Sequence, residues 1–364
     1  MRVEGDMING GVKDGVKIAA DLLAHYDVHA RRLAWRAPPG ANAADPYRVW
    51  LSEVMLQQTT VAAVGPYFTS FTARWPTVEA LAAADDADLM AAWAGLGYYA
   101  RARNLLACAR VVVRDHGGLF PDSEEGLRAL PGVGAYTAAA VAAIAFGRRA
   151  VVVDANVERV VARLFAIATP LPAARPVIRA AADAITPDAR AGDFAQAMMD
   201  LGATICTSRN PACGICPLRA DCAAVRTADP AAYPVKAVKK ARPHRTGHGW
   251  WIERADGHVW LVRRPDKGLL GGMRALPSSD WSVDPDATPP FAADWRTLAE
   301  PVAHVFTHFS LALGVHTTHV GQDHVPPGAG EWWPVADIAQ AGLPTLFARA
   351  AQAVLKEKNE DARN

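Results

Sequence analysis

Four cysteines and two carboxylates are the residues of this chain whose types and spacing could do chemistry. Cys206, Cys213, Cys216 and Cys222 form a C-x6-C-x2-C-x5-C cluster, four thiols gathered into 17 residues. Soft sulfur donors select zinc or an iron–sulfur cluster over calcium or magnesium, which prefer oxygen. A zinc ribbon usually pairs two C-x2-C knuckles, whereas here only Cys213 and Cys216 make one. The pattern favours a [4Fe–4S] cluster over zinc, with a disulfide pair as the third reading. Glu53 sits in an apolar and amide stretch, where desolvation would raise its pKa and keep a proton available for donation. Asp154 follows the apolar run 150–153 and could supply a fixed negative charge. The plainer readings are a surface glutamate and a helix-capping aspartate.

These residues need elements to hold them. From Val16 to about Val225 apolar residues recur at three- and four-residue spacing between Gly/Pro breaks, which predicts an all-α domain. Within it, Leu130-Pro131-Gly132-Val133-Gly134-Ala135-Tyr136-Thr137 places Gly132 and Gly134 ahead of an alanine-rich helix. Glycine allows a tight turn, and the helix start offers unpaired N–H groups to an anion, a DNA phosphate being the candidate. Beyond Pro243 the period changes. Residues 250–254 and 259–263 are set on either side of the turn Ala255-Asp256-Gly257 as a β-hairpin, strands are expected at 302–309 and 311–320, and a helix at 344–356.

The expected organisation is a flexible N-terminus over 1–15, a helical domain over 16–226 and a linker over 227–245. A second domain over 246–357 and a flexible C-terminus over 358–364 complete it. A chain of 364 residues suits two cores, and a net charge of +1 neither favours nor excludes nucleic acid, since binding needs only a local patch. Residues 236–245 carry five Lys or Arg, and the cysteine loop adds Arg209, Arg219 and Arg226. No apolar run approaches the roughly 20 residues that span a bilayer, and the first residues build no signal-peptide core, so a cytoplasmic protein is expected. Cys108, outside the cluster, reads as a small buried hydrophobe.

Several segments together resemble the helix–hairpin–helix DNA glycosylases with a terminal iron–sulfur cluster, and most closely their adenine-specific branch. They are residues 45–59 (DPYRVWLSEVMLQQT), 93–101 (WAGLGYYAR), the glycine hairpin, 153–157 (VDANV) and the cysteines, spanning roughly residues 35–222. The resemblance implies a [4Fe–4S] cofactor on Cys206, Cys213, Cys216 and Cys222, with the cluster loop acting as a structural clamp. It implies that Glu53 protonates adenine at N7 and that Asp154 stabilises, or bonds transiently to, the sugar carbon. Cleavage of an N-glycosidic bond wants both an acid and an anion, as in glycosidases. Where the lyase branch carries a lysine nucleophile this chain has Tyr136, which implies a monofunctional enzyme with Tyr136 and Asn156 supporting the sugar side. Base removal from a duplex requires extrusion, and Gln58 and Tyr98 match residues that wedge into the stack. Arg36 matches an arginine near the extruded base, and Gln57, Thr59, Gly132 and Gly134 complete the expected DNA-contacting set.

The C-terminal half resembles the Nudix-like domain of the same family. A working Nudix hydrolase needs a glutamate-rich helix, and no glutamate lies between Arg254 and Ala299. Lesion recognition is then the implied role, with Thr307, in place of the usual serine, and His308 in the loop that inspects 8-oxoguanine. The expected substrate is double-stranded DNA with adenine opposite 8-oxoguanine or guanine, met by a monomer in the nucleoid. A pyrimidine-specific lyase, a non-catalytic iron–sulfur DNA-binding protein and a nucleotide pyrophosphatase are the alternatives.

Overall fold

The computed structural model describes residues 3–41, 44–226, 229–237, 242–265, 268–306 and 308–361. They fall into two compact units, residues 1–238 and 239–364.

The first unit is helical: α1 (Val3–His29), α2 (Pro46–Leu56), α3 (Val61–Arg74), α4 (Val78–Ala82), α5 (Asp86–Trp93), α6 (Ala100–His116), α7 (Glu124–Arg128), α8 (Ala135–Phe146), α9 (Ala155–Leu164), α10 (Arg175–Ile185), α11 (Ala191–Thr204) and α12 (Ala223–Arg226). Local chemistry sets the ends that matter. Pro46 opens α2 where its missing N–H costs nothing, and Asp45 caps it by accepting from the Tyr47 amide at 2.9 Å. Asp154 caps α9, accepting from the Val157 amide at 2.7 Å. Helix α8 is buried continuously from Thr137 to Ala145, because alanine lets neighbours close in on every side. The same buried core takes in Trp50, Met55, Phe68, Phe71 and Trp93, each contributing roughly 1.5–3 kcal/mol through burial. Gly202 of α11 lies so close to α9 that a Cβ there would come within 2.6 Å of the Asn156 Cβ. That contact fixes where Asn156 stands.

The second unit is a mixed seven-stranded sheet with one covering helix: β1 (His244–Arg254), β2 (His258–Arg263), β3 (Arg274–Ala275), β4 (Arg296–Thr297), β5 (Val302–Val305), β6 (Ser310–Val320), β7 (Gly330–Pro334) and α13 (Thr345–Asp361). The long central pair β1 and β6 runs parallel from His244↔Ser310 to Arg254↔Val320, and every other pairing is antiparallel. Alternation then sorts the side chains. Trp251, Leu311, Leu313 and Val315 meet Phe347, Ala350 and Val354 of α13, while Trp250, Ile252 and Trp260 form a separate cluster with Trp295 and Trp332.

Four boundaries differ from the sequence reading. Helix α1 already begins at Val3, with no proline before Pro38 to stop it. Residues 229–237, expected in a linker, lie on the helical unit, where the Tyr233 carbonyl accepts from Arg163 Nε at 3.0 Å and the Val235 carbonyl from the Leu171 amide at 2.9 Å. The strand expected over 302–309 stops at Val305, because the Phe306 amide donates to the Phe309 carbonyl at 2.9 Å and turns the chain into β6. Helix α13 runs on to Asp361, held by Lys358, which pairs with the buried Glu253.

Candidate active site

Glu53 sits on the third turn of α2, 6% exposed, and faces a cavity of about 600 Å³ lined also by Arg36, Gln57, Gln58, Thr59, Tyr136, Asp154, Asn156 and Gln196. The first turn of α8 brings Tyr136 opposite, where its hydroxyl donates to Glu53 Oε2 at 2.8 Å. Burial pushes the Glu53 carboxyl up to about 7, and nearby Asp154 adds to the rise, while the Tyr136 hydrogen bond and the Arg36 charge pull it partly back. The site thus holds a carboxylic acid that is substantially protonated at neutral pH. Burial, then the charges of Glu53 and Asp154, push the Tyr136 phenol well above the ordinary tyrosine value, so it stays a donor.

Asp154 caps a helix and also lines the cavity. One oxygen caps α9 and the other accepts from Asn156 Nδ2 at 2.9 Å, leaving the group on the cavity wall with its orientation fixed. Asn156 in turn accepts through Oδ1 from Arg159 Nη2 at 3.0 Å. Arg36 is anchored rather than free: its Nη1 donates to both oxygens of Asp200 at 2.8 Å, and Arg31 Nε adds a third bond to Asp200 at 2.6 Å. One buried aspartate therefore holds two cations at the cavity edge.

Gln58 and Tyr98 are exposed, Tyr98 at 62%, and both adopt left-handed backbone conformations, with φ of 56° and 51°. Non-glycine residues are seldom found there unless their surroundings impose it. Gln57 reaches Thr137 Oγ1 only loosely, at 3.4 Å, and Thr59 Oγ1 donates to the Gln57 carbonyl at 3.2 Å. Gly132 turns the hairpin at φ 72°, where a Cβ would also collide with Asn104 at 2.6 Å. Gly134 starts α8 without a side-chain cap and with open space around its Cα. His308 is exposed on the sheet unit, and Thr307 lies outside the described residues.

The cysteine loop follows α11. No two cysteines are joined as a disulfide, and Cys206, Cys216 and Cys222 pack against the helical core. Among the described residues, no group of three or more His, Cys, Asp or Glu side chains converges as on a single metal ion. Four cysteine thiols are a donor set that suits an iron–sulfur cluster. The Cys216 sulfur takes a hydrogen bond from the Leu218 backbone and the Cys222 sulfur from Val225 and Ala224, the kind of bond that stabilises bound thiolates. Arg163, 1% exposed, donates through Nη1 to Cys206 Sγ at 3.3 Å and to the Cys206 and Thr207 carbonyls at 3.2 and 2.7 Å. Arg209 and Arg219 stand exposed on the same loop.

The sequence reading missed Gln196, Asp200, Arg31, Arg159, Arg163 and Arg101. A signal existed for the first two, since Gln196 and Asp200 are polar residues four apart in the otherwise apolar stretch 194–201 of α11 and so share a buried face. Gln196 is 5% exposed, lines the cavity, and leaves Oε1 without a partner among the described residues.

A buried acid paired with a phenol, a helix-capping aspartate across the cavity and a glycine hairpin on an all-α scaffold define a base-excision glycosylase of the helix–hairpin–helix class. Residues 51–186 match the HhH-GPD superfamily of base excision DNA repair proteins, 206–222 the iron–sulfur binding domain of endonuclease III, and 248–353 a NUDIX domain. A solved thermostable thymine-DNA glycosylase superposes with a TM-score of 0.52 at 28% identity, covering 60% of this chain and 98% of its own. Adenine DNA glycosylase of Homo sapiens is 35% identical over 398 residues, 90% of this chain and 72% of that one. That of Mycolicibacterium smegmatis is 46% identical over 199 residues, 54% of this chain and 66% of that one. The chain belongs to the adenine DNA glycosylase family, and its cofactor is a [4Fe–4S] cluster.

Proposed function

We propose that the chain hydrolyses the N-glycosidic bond of adenine opposite 8-oxoguanine or guanine in double-stranded DNA, leaving an abasic site. The observation that carries this is the buried Glu53, its carboxyl pushed up to about 7, held by Tyr136 in a cavity whose wall presents Asp154. The extruded adenine enters the cavity, where Gln196 Oε1 can accept from its amino group and Arg36 fixes its edge. Glu53 protonates N7, the base leaves neutral, and the Tyr136 hydrogen bond steadies the carboxylate that results. Asp154 stabilises the oxocarbenium-like sugar, Asn156 holding its free oxygen in place, and water completes the hydrolysis. With Tyr136 in the nucleophile position, no Schiff base forms.

Gln58 and Tyr98 enter the stack beside the orphaned base, while the Gly132–Gly134 hairpin and the exposed Arg209 and Arg219 take the phosphate backbone. Cys206, Cys213, Cys216 and Cys222 hold the [4Fe–4S] cluster, which fastens the loop after α11. The sheet unit reads the lesion through Thr307 and His308 and does not hydrolyse nucleotides. The enzyme acts as a monomer on nucleoid DNA, and no described helix is long and apolar enough to cross a membrane. Single-turnover assays on duplexes differing only in the base opposite adenine test the reading. Release should be fastest opposite 8-oxoguanine, slower opposite guanine and absent opposite thymine; equal rates for all three, or borohydride trapping on DNA, would overturn it.

A further inference from the structure

Arg101, in the first turn of α6, is 9% exposed and pairs with no carboxylate among the described residues. Neutral acceptors meet its two terminal nitrogens, while the buried Nε has no partner among the described residues. Nη1 donates to the carbonyls of Val54 and Met55 at 3.1 and 2.9 Å, and Nη2 to the carbonyls of Leu96 and Gly97 at 2.9 and 3.2 Å and to Thr59 Oγ1 at 3.3 Å. The guanidinium carbon also lies 5.3 Å from the centre of the Trp93 ring and 5.6 Å from that of Tyr98. Burying a cation without a counter-ion is costly, and burial here draws the Arg101 pKa down from the ordinary arginine value. The carbonyls that accept from it are the compensation. Those of Val54 and Met55 belong to the last turn of α2, the negative end of that helix.

The positions of these acceptors carry the inference. Val54, Met55 and Thr59 bracket Gln58, while Leu96 and Gly97 immediately precede Tyr98. Gln58 and Tyr98 are two of the six non-glycine residues described with positive φ, and one guanidinium grips the chain beside both. We propose that Arg101 is a positioning residue for mispair recognition: its planar fork locks the turn bearing Gln58 to the turn bearing Tyr98, so that both side chains enter the duplex as one wedge. This rests on the assignment of Gln58 and Tyr98 as wedge residues. Lysine cannot replace the fork, since a single ammonium has neither the planar geometry nor enough donors to hold both turns.

The test is a double-mutant cycle in the full-length, cluster-containing protein. The ligand is a duplex with 2′-fluoro-2′-deoxyadenosine, whose glycosidic bond resists cleavage, opposite 8-oxoguanine and beside a fluorescent 2-aminopurine. Arg101→Lys and Tyr98→Ser should each weaken binding about tenfold, and the double variant by little more than either alone. At saturating protein, Arg101→Lys should also lose the fluorescence rise that reports unstacking, which a general loss of stability would leave intact. Additive losses of about a hundredfold, or Arg101→Lys with unchanged affinity and fluorescence, overturn the proposal while leaving the wedge assignment standing. Wild-type affinity in Tyr98→Ser overturns the wedge assignment and the proposal with it. Should Arg101→Lys melt below the assay temperature, Thr59→Val, which removes one acceptor from the same guanidinium, enters the same cycle with the same expected non-additivity.

Discussion

Arg159 donates through Nε to the main-chain carbonyl of Cys206 at 2.8 Å, tying the helix that Asp154 caps to the first cysteine of the loop. Its Nη2 also holds the Gly202 carbonyl at 2.7 Å and Asn156 Oδ1 at 3.0 Å. Replacing Arg159 by alanine leaves Asn156 Oδ1 unpaired and frees the amide that orients Asp154. The expected outcome is a single-turnover rate lowered about tenfold. Iron–sulfur absorbance should persist, because Arg163 still holds Cys206. Cys206→Ser should instead lower the melting temperature and DNA affinity together.

Glu53 carries a stability cost. Its carboxyl titrates near 7 in the folded chain and near an ordinary 4.5 when unfolded. The raised value favours the folded state below about pH 4.5, and this contribution is lost as pH rises through 7. Glu53→Gln should therefore be more stable than the parent at pH 8, by up to about 3 kcal/mol, with the gain shrinking toward pH 4.5. Denaturant titrations at the two pH values measure it. The same variant should bind the mispair and release no adenine.

Tyr136→Phe removes the hydrogen bond that pulls the Glu53 carboxyl down. Because the acid must be protonated to act, adenine release by the parent should fall as pH rises through about 7. In Tyr136→Phe that falling limb should move to higher pH. The maximal rate should drop about tenfold for want of the bond that steadies the carboxylate after transfer. A pH–rate profile under single turnover separates the two effects.

The two hairpin glycines should respond differently to alanine. At Gly132 the positive φ and the contact with Asn104 both oppose a Cβ, so Gly132→Ala should lower stability by about 1–3 kcal/mol and weaken DNA binding with it. Gly134 has φ −86° and open space, so Gly134→Ala should melt normally. Its new methyl group lies where a phosphate would approach, so DNA affinity should still fall. Thermal melts beside binding isotherms distinguish the two.

Much of the site was legible in the chain because its signals are local. Glu53 stands in an apolar and amide stretch, and the spacing of the cysteines identifies their ligand class without reference to any partner. The hairpin over 250–263 and the strand expected at 311–320 follow from period alone. Tyr98 was not legible in this way. Taken by itself it reads as a core aromatic, yet it stands exposed, because the left-handed turn after Gly97 throws the ring outward.

The sequence by itself determined the soft-metal loop, the carboxylates, the glycine hairpin and the change from helical to strand periodicity, all encoded within a few neighbouring residues. Only the tertiary structure decided that Tyr136 meets Glu53 across 83 positions, that Asp200 binds Arg36 across 164, and that Arg101 grips the turns bearing Gln58 and Tyr98. The reason is physical: a pKa or an ion pair depends on which groups share a desolvated volume, and that is set by how α2, α6, α8, α9 and α11 pack together.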